Sequence, residues 1–411
     1  MVRNKQYLER HRWEAQGGRV ITSCKFLDNL SLATLVAPIT KDEFVSRYWG
    51  KQPLIVARSE PDYYDGLFTL QDFDDAIMRD PSYVKLANAA TQKNQSYKPS
   101  APGLEAVIAD LRDGGTVVLD QLHNKEPKLN LLCRALAPEF GHRFQTNLYL
   151  TPPKGKGFSP HWDNHDVFIL QVVGSKKWMI EKERRALPPK GEKMGEEGRE
   201  LRGEISTFTL NQGDLIYIPR GFVHAAECDT ESSLHITLGV TGVYWEDLLH
   251  AAIKAKIQQG EDRDLGGVLP FGFMQESREQ LVTLTKDILK QMTDEAFLGA
   301  VVDNFRDKCV TDYKLDVSGQ VVDFLRPSPL LITDVVGSRR GIVYRVHKSD
   351  SGVRINFGAR SITFLNLFQD ALDFALNTPS FAIKDLPGDL IDEERLALIE
   401  RLIEEGLIVR K

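Results

Sequence analysis

The run Ser159-Pro160-His161-Trp162-Asp163-Asn164-His165-Asp166-Val167-Phe168-Ile169-Leu170-Gln171 decides how the rest of the chain is read. A histidine and a carboxylate stand two apart at the head of a β-branched and aromatic stretch. In a strand, residues i and i+2 share a face. The pattern therefore predicts that His161 and Asp163 aim an imidazole nitrogen and a carboxylate oxygen at one point. Two such ligands leave a metal site incomplete. The run Gly213-Asp214-Leu215-Ile216-Tyr217-Ile218-Pro219-Arg220-Gly221-Phe222-Val223-His224 offers His224 as the third, at the edge where a strand meets a loop.

Outward from this centre the elements alternate. Upstream, Phe44, Tyr48 and Trp49 lie at helical spacing with Gly50 as a C-cap, and Leu54 to Ala57 reads as a short buried strand. Leu104 to Arg112 and Leu129 to Phe140 read as helices, Thr116 to Leu119 as a strand. Phe144 to Leu150 alternates as a half-buried strand with Asn147 and Tyr149 on one side, and Thr151 to Gly157 is a loop of turn residues. Downstream, Gly174-Ser175 predicts a tight hairpin, with Lys176 opening the returning strand. Residues 181 to 206, rich in Lys, Glu and Gly, read as an exposed insertion. Phe208 to Leu210, Asp214 to Pro219 and Leu234 to Val240 are strands, the last with His235 and Thr237 on one face. Many short strands, Gly-marked turns and converging polar side chains predict a double-stranded β-helix, a jelly-roll barrel whose mouth is a natural ligand site.

Beyond Trp245 the character changes. Glu246 to Gln259 and Arg278 to Val302 read as helices with apolar stripes, separated by a polar linker from Gly260 to Gly267. Arg326-Pro327-Ser328-Pro329 marks another boundary. After it come a predicted hairpin (Val343 to His347, Val353 to Phe357), helices over Ile362 to Leu376 and Glu393 to Gly406, and a short strand, Leu407 to Val409. The overall expectation is α+β: a barrel over 1–245, a helical segment over 246–325 and a winged-helix domain over 326–411.

Length and composition set bounds. A chain of 411 residues exceeds the usual single domain. With 42% hydrophobic and 27% charged residues and a net charge of -6, it is an ordinary globular composition rather than a nucleic-acid or membrane footprint. From residue 330 to 411 there are eleven Lys or Arg against twelve Asp or Glu, so a winged helix there lacks the basic face that DNA phosphates require. Four scattered cysteines (Cys24, Cys133, Cys228, Cys309) fit reduced thiols, not a disulfide framework. The polar N-terminus and the lack of a long apolar run predict a cytoplasmic protein with no membrane span.

A lone strand histidine is usually a satisfied core residue, and His142, His250 and His347 take that reading. The centre is stronger because three elements converge. The His-x-Asp pair and His224 make the two-histidine, one-carboxylate facial triad of non-haem Fe(II) oxygenases. Lys176, fifteen residues after His161, opens an otherwise apolar strand. Burying it unpaired is costly, and a bound dicarboxylate would pair with it; its blander reading is a lysine snorkelling at a strand end beside Lys177.

These residues resemble the JmjC-type Fe(II)/2-oxoglutarate oxygenases, in particular the ribosomal oxygenase branch of protein hydroxylases. The matching motifs are Tyr48-Trp49-Gly50-Lys51-Gln52-Pro53-Leu54, Asn147-Leu148-Tyr149-Leu150-Thr151-Pro152, and His161-Trp162-Asp163 through Gln171. They continue through Gly174-Ser175-Lys176-Lys177-Trp178, Gly213 to Gly221 with His224, and Leu234-His235-Ile236-Thr237-Leu238. The resemblance implies that His161, Asp163 and His224 bind Fe(II) and that Lys176 binds the distal carboxylate of 2-oxoglutarate. It also implies that Asn147 and Thr237 line the cosubstrate pocket, and that Tyr149 lies between cosubstrate and substrate. The resemblance further implies that O2 is the second cosubstrate, that the segment 246–325 mediates a homodimer, and that the target is an arginine or histidine of a ribosomal protein. Gly239 matches the bacterial arginine-directed members, whereas Lys176 matches the eukaryotic histidine-directed ones. An N-methyl-lysine demethylase, a catalytically silent cupin acting as a winged-helix regulator, and a cupin using Zn(II) or Mn(II) are the alternatives.

Overall fold

The computed structural model describes residues 24–88, 93–96, 104–185, 187–189, 191–192, 200–258, 277–313, 319–325 and 329–411. The predicted linker from Gly260 to Gly267 and most of the boundary around Pro327 lie outside these residues.

The organising element is β6, Asp166–Glu181, a strand of 16 residues. In chain order the strands before it are β1 (Leu54–Val56), β2 (Val84–Asn88), β3 (Lys93–Ser96), β4 (Thr116–Leu119) and β5 (Arg143–Thr151). After it come β7 (Ile205–Asn211), β8 (Leu215–Ile218), β9 (His224–Glu227) and β10 (Ser233–Thr241). The first half of β6 pairs with β10 and β8, its second half with β7 and β9, all antiparallel. One strand thus belongs to two sheets, and the space between them is the site's cavity. The larger sheet runs β1-β8-β6-β10-β5-β4-β2-β3.

The expected hairpin at Gly174-Ser175 is not formed; the strand continues through it. Its register against β10 shifts between Leu234 and His235, so β6 bulges and bends instead of reversing. Gly174 takes φ +66°, and a Cβ there would lie 1.9 Å from the Ser232 carbonyl oxygen. Only glycine fits this corner. The expected strand through His161 and Asp163 is also absent. His161 forms a single bridge to His224, and regular pairing begins only at Asp166. The turn-forming Asn164 ends the extended run early, and its side chain donates to the Glu192 carbonyl.

Besides the short helical turns between Lys25 and Tyr48, three longer helices pack around the sheets: α1 (Leu70–Arg79), α2 (Leu104–Arg112) and α3 (Pro127–Phe140). The principal core joins α1–α3 to the outer face of the large sheet through Phe44, Phe73, Leu129, Leu132, Leu136, Leu148, Phe168 and Tyr217. Burying each such side chain contributes about 1.5–3 kcal/mol. A smaller apolar cluster (Val167, Ile169, Trp178, Ile180, Ile216, Ile218, Phe222) lies between the two sheets. All four cysteines are free thiols.

Among the described residues of 245–325 the helices are α4 (Trp245–Gln258), α5 (Arg278–Gln291), α6 (Glu295–Thr311) and α7 (Gln320–Leu325). The single helix expected from Arg278 to Val302 is two, because Asp294 caps a new start by accepting the Phe297 N–H at 2.7 Å. The C-terminal part has its own core, centred on Val353, Ile355, Phe357, Leu372, Ile399 and Leu402. There β11 (Val335–Ser338), β12 (Tyr344–Ser349), β13 (Gly352–Phe357) and β14 (Arg360–Phe364) precede α8 (Gln369–Asn377). Then come β15 (Phe381–Ala382), α9 (Asp392–Glu404) and β16 (Ile408–Arg410). The helix expected from Ile362 begins only at Gln369, since Ile362 pairs with Ile355 in a third strand of the β12–β13 meander. Arg345 binds Asp303 and Asp307 of α6, and His347 binds Asp307 at 2.8 Å, which ties this part to the helical segment.

Candidate metal and cosubstrate site

His161, Asp163 and His224 converge although they come from a loop and a strand. Their ligand atoms all lie within 4.8 Å of one another. Asp163 Oδ1 is 4.0 Å from His161 Nε2, and its Oδ2 is 3.8 Å from His224 Nε2. The backbone sets this geometry. His161 and His224 exchange both N–H···O bonds, at 3.0 and 2.8 Å, and the Gly221 N–H donates to the Asp163 carbonyl at 3.0 Å. Pro219-Arg220-Gly221 is therefore the turn that holds the loop carrying Asp163.

The donor set suits a first-row divalent metal. His161 Nδ1 donates to the Ser159 carbonyl at 2.9 Å, and His224 Nδ1 to the Phe222 carbonyl at 3.0 Å. A carbonyl only accepts, so both protons sit on Nδ1 and both Nε2 lone pairs face the common point. Burial raises the Asp163 carboxyl pKa, but His161, His224 and His165 beside it outweigh that and hold it below the usual range. Burial and the neighbouring His161 push His224 down to about 4. These two ligands are deprotonated at neutral pH, as metal binding requires.

The cluster opens on a cavity also lined by Thr116, Tyr149, Lys176, Trp178, His235 and Thr237. Alternation along the second half of β6 sends Lys176 inward and Lys177 outward, where it pairs with Glu227 at 3.2 Å. Lys176 is 3% exposed. Its Nζ donates to Thr151 Oγ1 at 2.7 Å, and that hydroxyl meets Thr116 Oγ1 at 2.9 Å. Among the described residues no carboxylate lies within ion-pair reach of it, and burial lowers its pKa to about 8. A buried, predominantly protonated ammonium with only a hydroxyl partner is a costly charge that a bound anion would offset.

Thr237 stands where the sequence places it. Asn147 shares its face of the sheet, but its Oδ1 accepts the Gln121 N–H at 2.8 Å and its amide meets the Tyr149 phenol. It supports Tyr149 rather than the cavity. Gln121 holds the left-handed conformation at φ 50° to make that bond. Sequence reasoning missed Thr116 and Thr151, which no local pattern marks as partners of Lys176. It also missed how Trp49-Gly50 serves the site. Trp49 stacks on Tyr217, the Gly50 N–H donates to the Tyr217 hydroxyl at 2.8 Å, and that hydroxyl donates to Asp166. Asp166 Oδ1 accepts the Arg220 N–H at 3.0 Å, so the chain of contacts reaches the turn that fixes Asp163.

The comparisons with known proteins agree with this arrangement. Residues 120–248 match the JmjC domain. Ribosomal oxygenase 1 of Gallus gallus is 27% identical over 92% of this chain and 71% of its own length. The bifunctional lysine-specific demethylase and histidyl-hydroxylase NO66 of Dictyostelium discoideum is 26% identical over 92% of this chain and 82% of its own. Among solved structures, the Escherichia coli ribosomal oxygenase YcfD in complex with cobalt and 2-oxoglutarate superposes with a TM-score of 0.52 and 17% identity, covering 90% of this chain and 98% of that one. Its fold is the JmjC/cupin type, with mixed helix and antiparallel sheet. The matched segment contains His161, Asp163, His224 and the strand of Lys176, and the similarity to the ribosomal oxygenases runs through the helical and C-terminal parts as well: residues 120–248 are a JmjC domain, and the chain as a whole resembles the ribosomal oxygenases.

Proposed function

We propose that this chain hydroxylates an arginine or histidine side chain of a ribosomal protein, using Fe(II), 2-oxoglutarate and O2. The observation that carries the reading is the pairing, in one cavity, of a His-Asp-His cluster with a buried Lys176 that has no carboxylate partner among the described residues. When bound, iron and 2-oxoglutarate supply the oxidising power to insert one oxygen of O2 into an unactivated C–H bond, with 2-oxoglutarate converted to succinate and CO2. The protein's part is placement. His161, Asp163 and His224 would hold the metal at the wall of the cavity that they line. Lys176, with Thr151 and Thr116 behind it, anchors the distal carboxylate, and Thr237 lines the same space. Tyr149, oriented by Asn147, borders the substrate. The names of the relatives supply the substrate class, and two of their activities, hydroxylation and demethylation, give different products. Incubating the purified protein with Fe(II), 2-oxoglutarate and isolated ribosomal proteins should yield a mass gain of about 16 Da, one oxygen atom. Formaldehyde release from methyl-lysine peptides, without that gain, would replace this reading by the demethylase.

The division into an oxygenase domain over 1–245, a helical dimerisation segment over 246–325 and a winged-helix domain over 326–411 belongs to the same proposal. The separate C-terminal core supports the last boundary. For the dimer, α4 buries Ala252 against Phe297 and Val301 of α6. Flanking that buried face, the same helix carries Trp245, Leu249, Ile253 and Ile257 at intervals of four, all exposed, with Trp245 at 80%. Such a stripe on one helix face suits a second copy of the chain. Light scattering should report about twice the 46.4 kDa chain mass; a monomer at micromolar concentration would refute the interface. The near-neutral C-terminal part suits contact with protein rather than nucleic acid.

A further inference from the structure

The cavity holds one nitrogen base that neither the metal cluster nor Lys176 engages. His235 projects from β10, its ring parallel to Tyr149 with centroids 4.9 Å apart, and edge-on to Trp178 at 5.6 Å. It is 2% exposed and lines the cavity beside Lys176 and Thr237. Its Nδ1 is buried and meets no hydrogen-bond partner. Burial, reinforced by the charge of Lys176, keeps the imidazole well below its ordinary pKa, so the ring is neutral and carries a single N–H. Buried polar groups are nearly always satisfied, and the exceptions call for a ligand or a role. Packing alone does not explain this one, since a phenyl ring would fill the slot between Tyr149 and Trp178 without leaving a nitrogen unpaired.

We propose that His235 is a cosubstrate-binding residue, donating its N–H to the carboxylate that Lys176 pairs with. The inference rests on the 2-oxoglutarate reading above. Its chemistry is that of a mixed receptor. One cation sets the affinity for the anion, and a second cation so close would repel the first. A neutral donor adds a directional bond without that penalty. The two aromatic neighbours fix the plane of the ring, so the N–H is aimed before the ligand arrives.

The test is calorimetric titration of 2-oxoglutarate into Co(II)-loaded protein, with Co(II) affinity and Tm measured for every variant. His235→Phe keeps a flat ring in the slot and removes the donor. His235→Gln restores an N–H without the ring. The expected result is a Kd at least fivefold weaker for His235→Phe, with Co(II) affinity unchanged and most of the loss recovered in His235→Gln. A smaller loss overturns the proposal, as does a loss that His235→Gln shares in full, because shape and not the donor would then be responsible. A measurement on the unmutated chain guards against variants that fail to fold. In Zn(II)-loaded protein labelled at histidine with nitrogen-15, the His235 ring resonances should move when 2-oxoglutarate is added, and unmoved resonances would overturn the assignment. Wild-type protein that binds metal but no 2-oxoglutarate would instead overturn the cosubstrate reading itself, and this inference with it.

Discussion

Replacing Lys176 with methionine should move two quantities in opposite directions. Methionine has a similar length and an unbranched, adaptable stem, so it fills the same space. In the ligand-free protein Lys176 is a burden. Its pKa falls from 10.5 to about 8 because the charged form is desolvated. A shift of that size corresponds to roughly 3 kcal/mol of stability forgone near pH 7. Losing the bond to Thr151 offsets on the order of 1 kcal/mol, and Thr151 keeps Thr116 as a partner. The metal-free Lys176→Met protein should therefore be more stable by about 1–2 kcal/mol in urea denaturation at pH 7. The wild type has a pH signature of the same origin. Between the folded value of about 8 and the unfolded value of 10.5 the unfolded chain binds more protons. Lys176 therefore destabilises the native state in full below pH 8, and that handicap is relieved as pH rises through this window, so wild type and Lys176→Met should converge there. Ligand binding runs the other way. A charge-assisted bond contributes roughly 1.5–3 kcal/mol, so the variant should bind 2-oxoglutarate at least tenfold more weakly. The wild type's affinity should fall above pH 8 as the ammonium is lost. A Lys176→Met variant that is less stable, yet binds 2-oxoglutarate normally, would mean that Lys176 is a structural residue and that the anion-receptor argument is wrong.

Other perturbations test the remaining parts. Asp163→Asn should abolish Co(II) binding measured by calorimetry, while the metal-free Tm stays within a few degrees; retained stoichiometric binding would remove Asp163 from the ligand set. Lys177→Ala, which breaks only a partly exposed pair with Glu227, should change stability by less than about 1 kcal/mol and leave 2-oxoglutarate affinity unaltered. An effect equal to that of Lys176 would show the register of β6 to be misassigned. Gly174→Ala forces a Cβ to within 1.9 Å of the Ser232 carbonyl in a left-handed backbone. It should cost at least about 2 kcal/mol in chemical denaturation, and a neutral result would mean the corner is not as tight as drawn.

Much of this protein was determined by local sequence. The His-x-Asp spacing, the strand ending in Pro-Arg-Gly before His224, and the alternation that separates Lys176 from Lys177 depend only on the period of a strand and on turn chemistry. Those signals named the candidate metal cluster and the buried Lys176 beside it. The same rules misread the path between them. A glycine in a strand marks either a turn or a bulge, and only pairing with β10 decides which; at Gly174 the pairing carries the strand onward into the second sheet. Similarly, Asp163 reaches the metal point from a loop, because the N–H of Gly221, 58 positions away by number, fixes its carbonyl. Tertiary structure alone brought Thr116 and Thr151 behind Lys176, turned Asn147 toward Tyr149 instead of the cavity, and linked Trp49-Gly50 through Tyr217 and Asp166 to the Arg220 turn. Each of these contacts joins segments far apart in the chain through side-chain hydrogen bonds. Periodicity tells which face a residue occupies, but not which distant partner will meet it there.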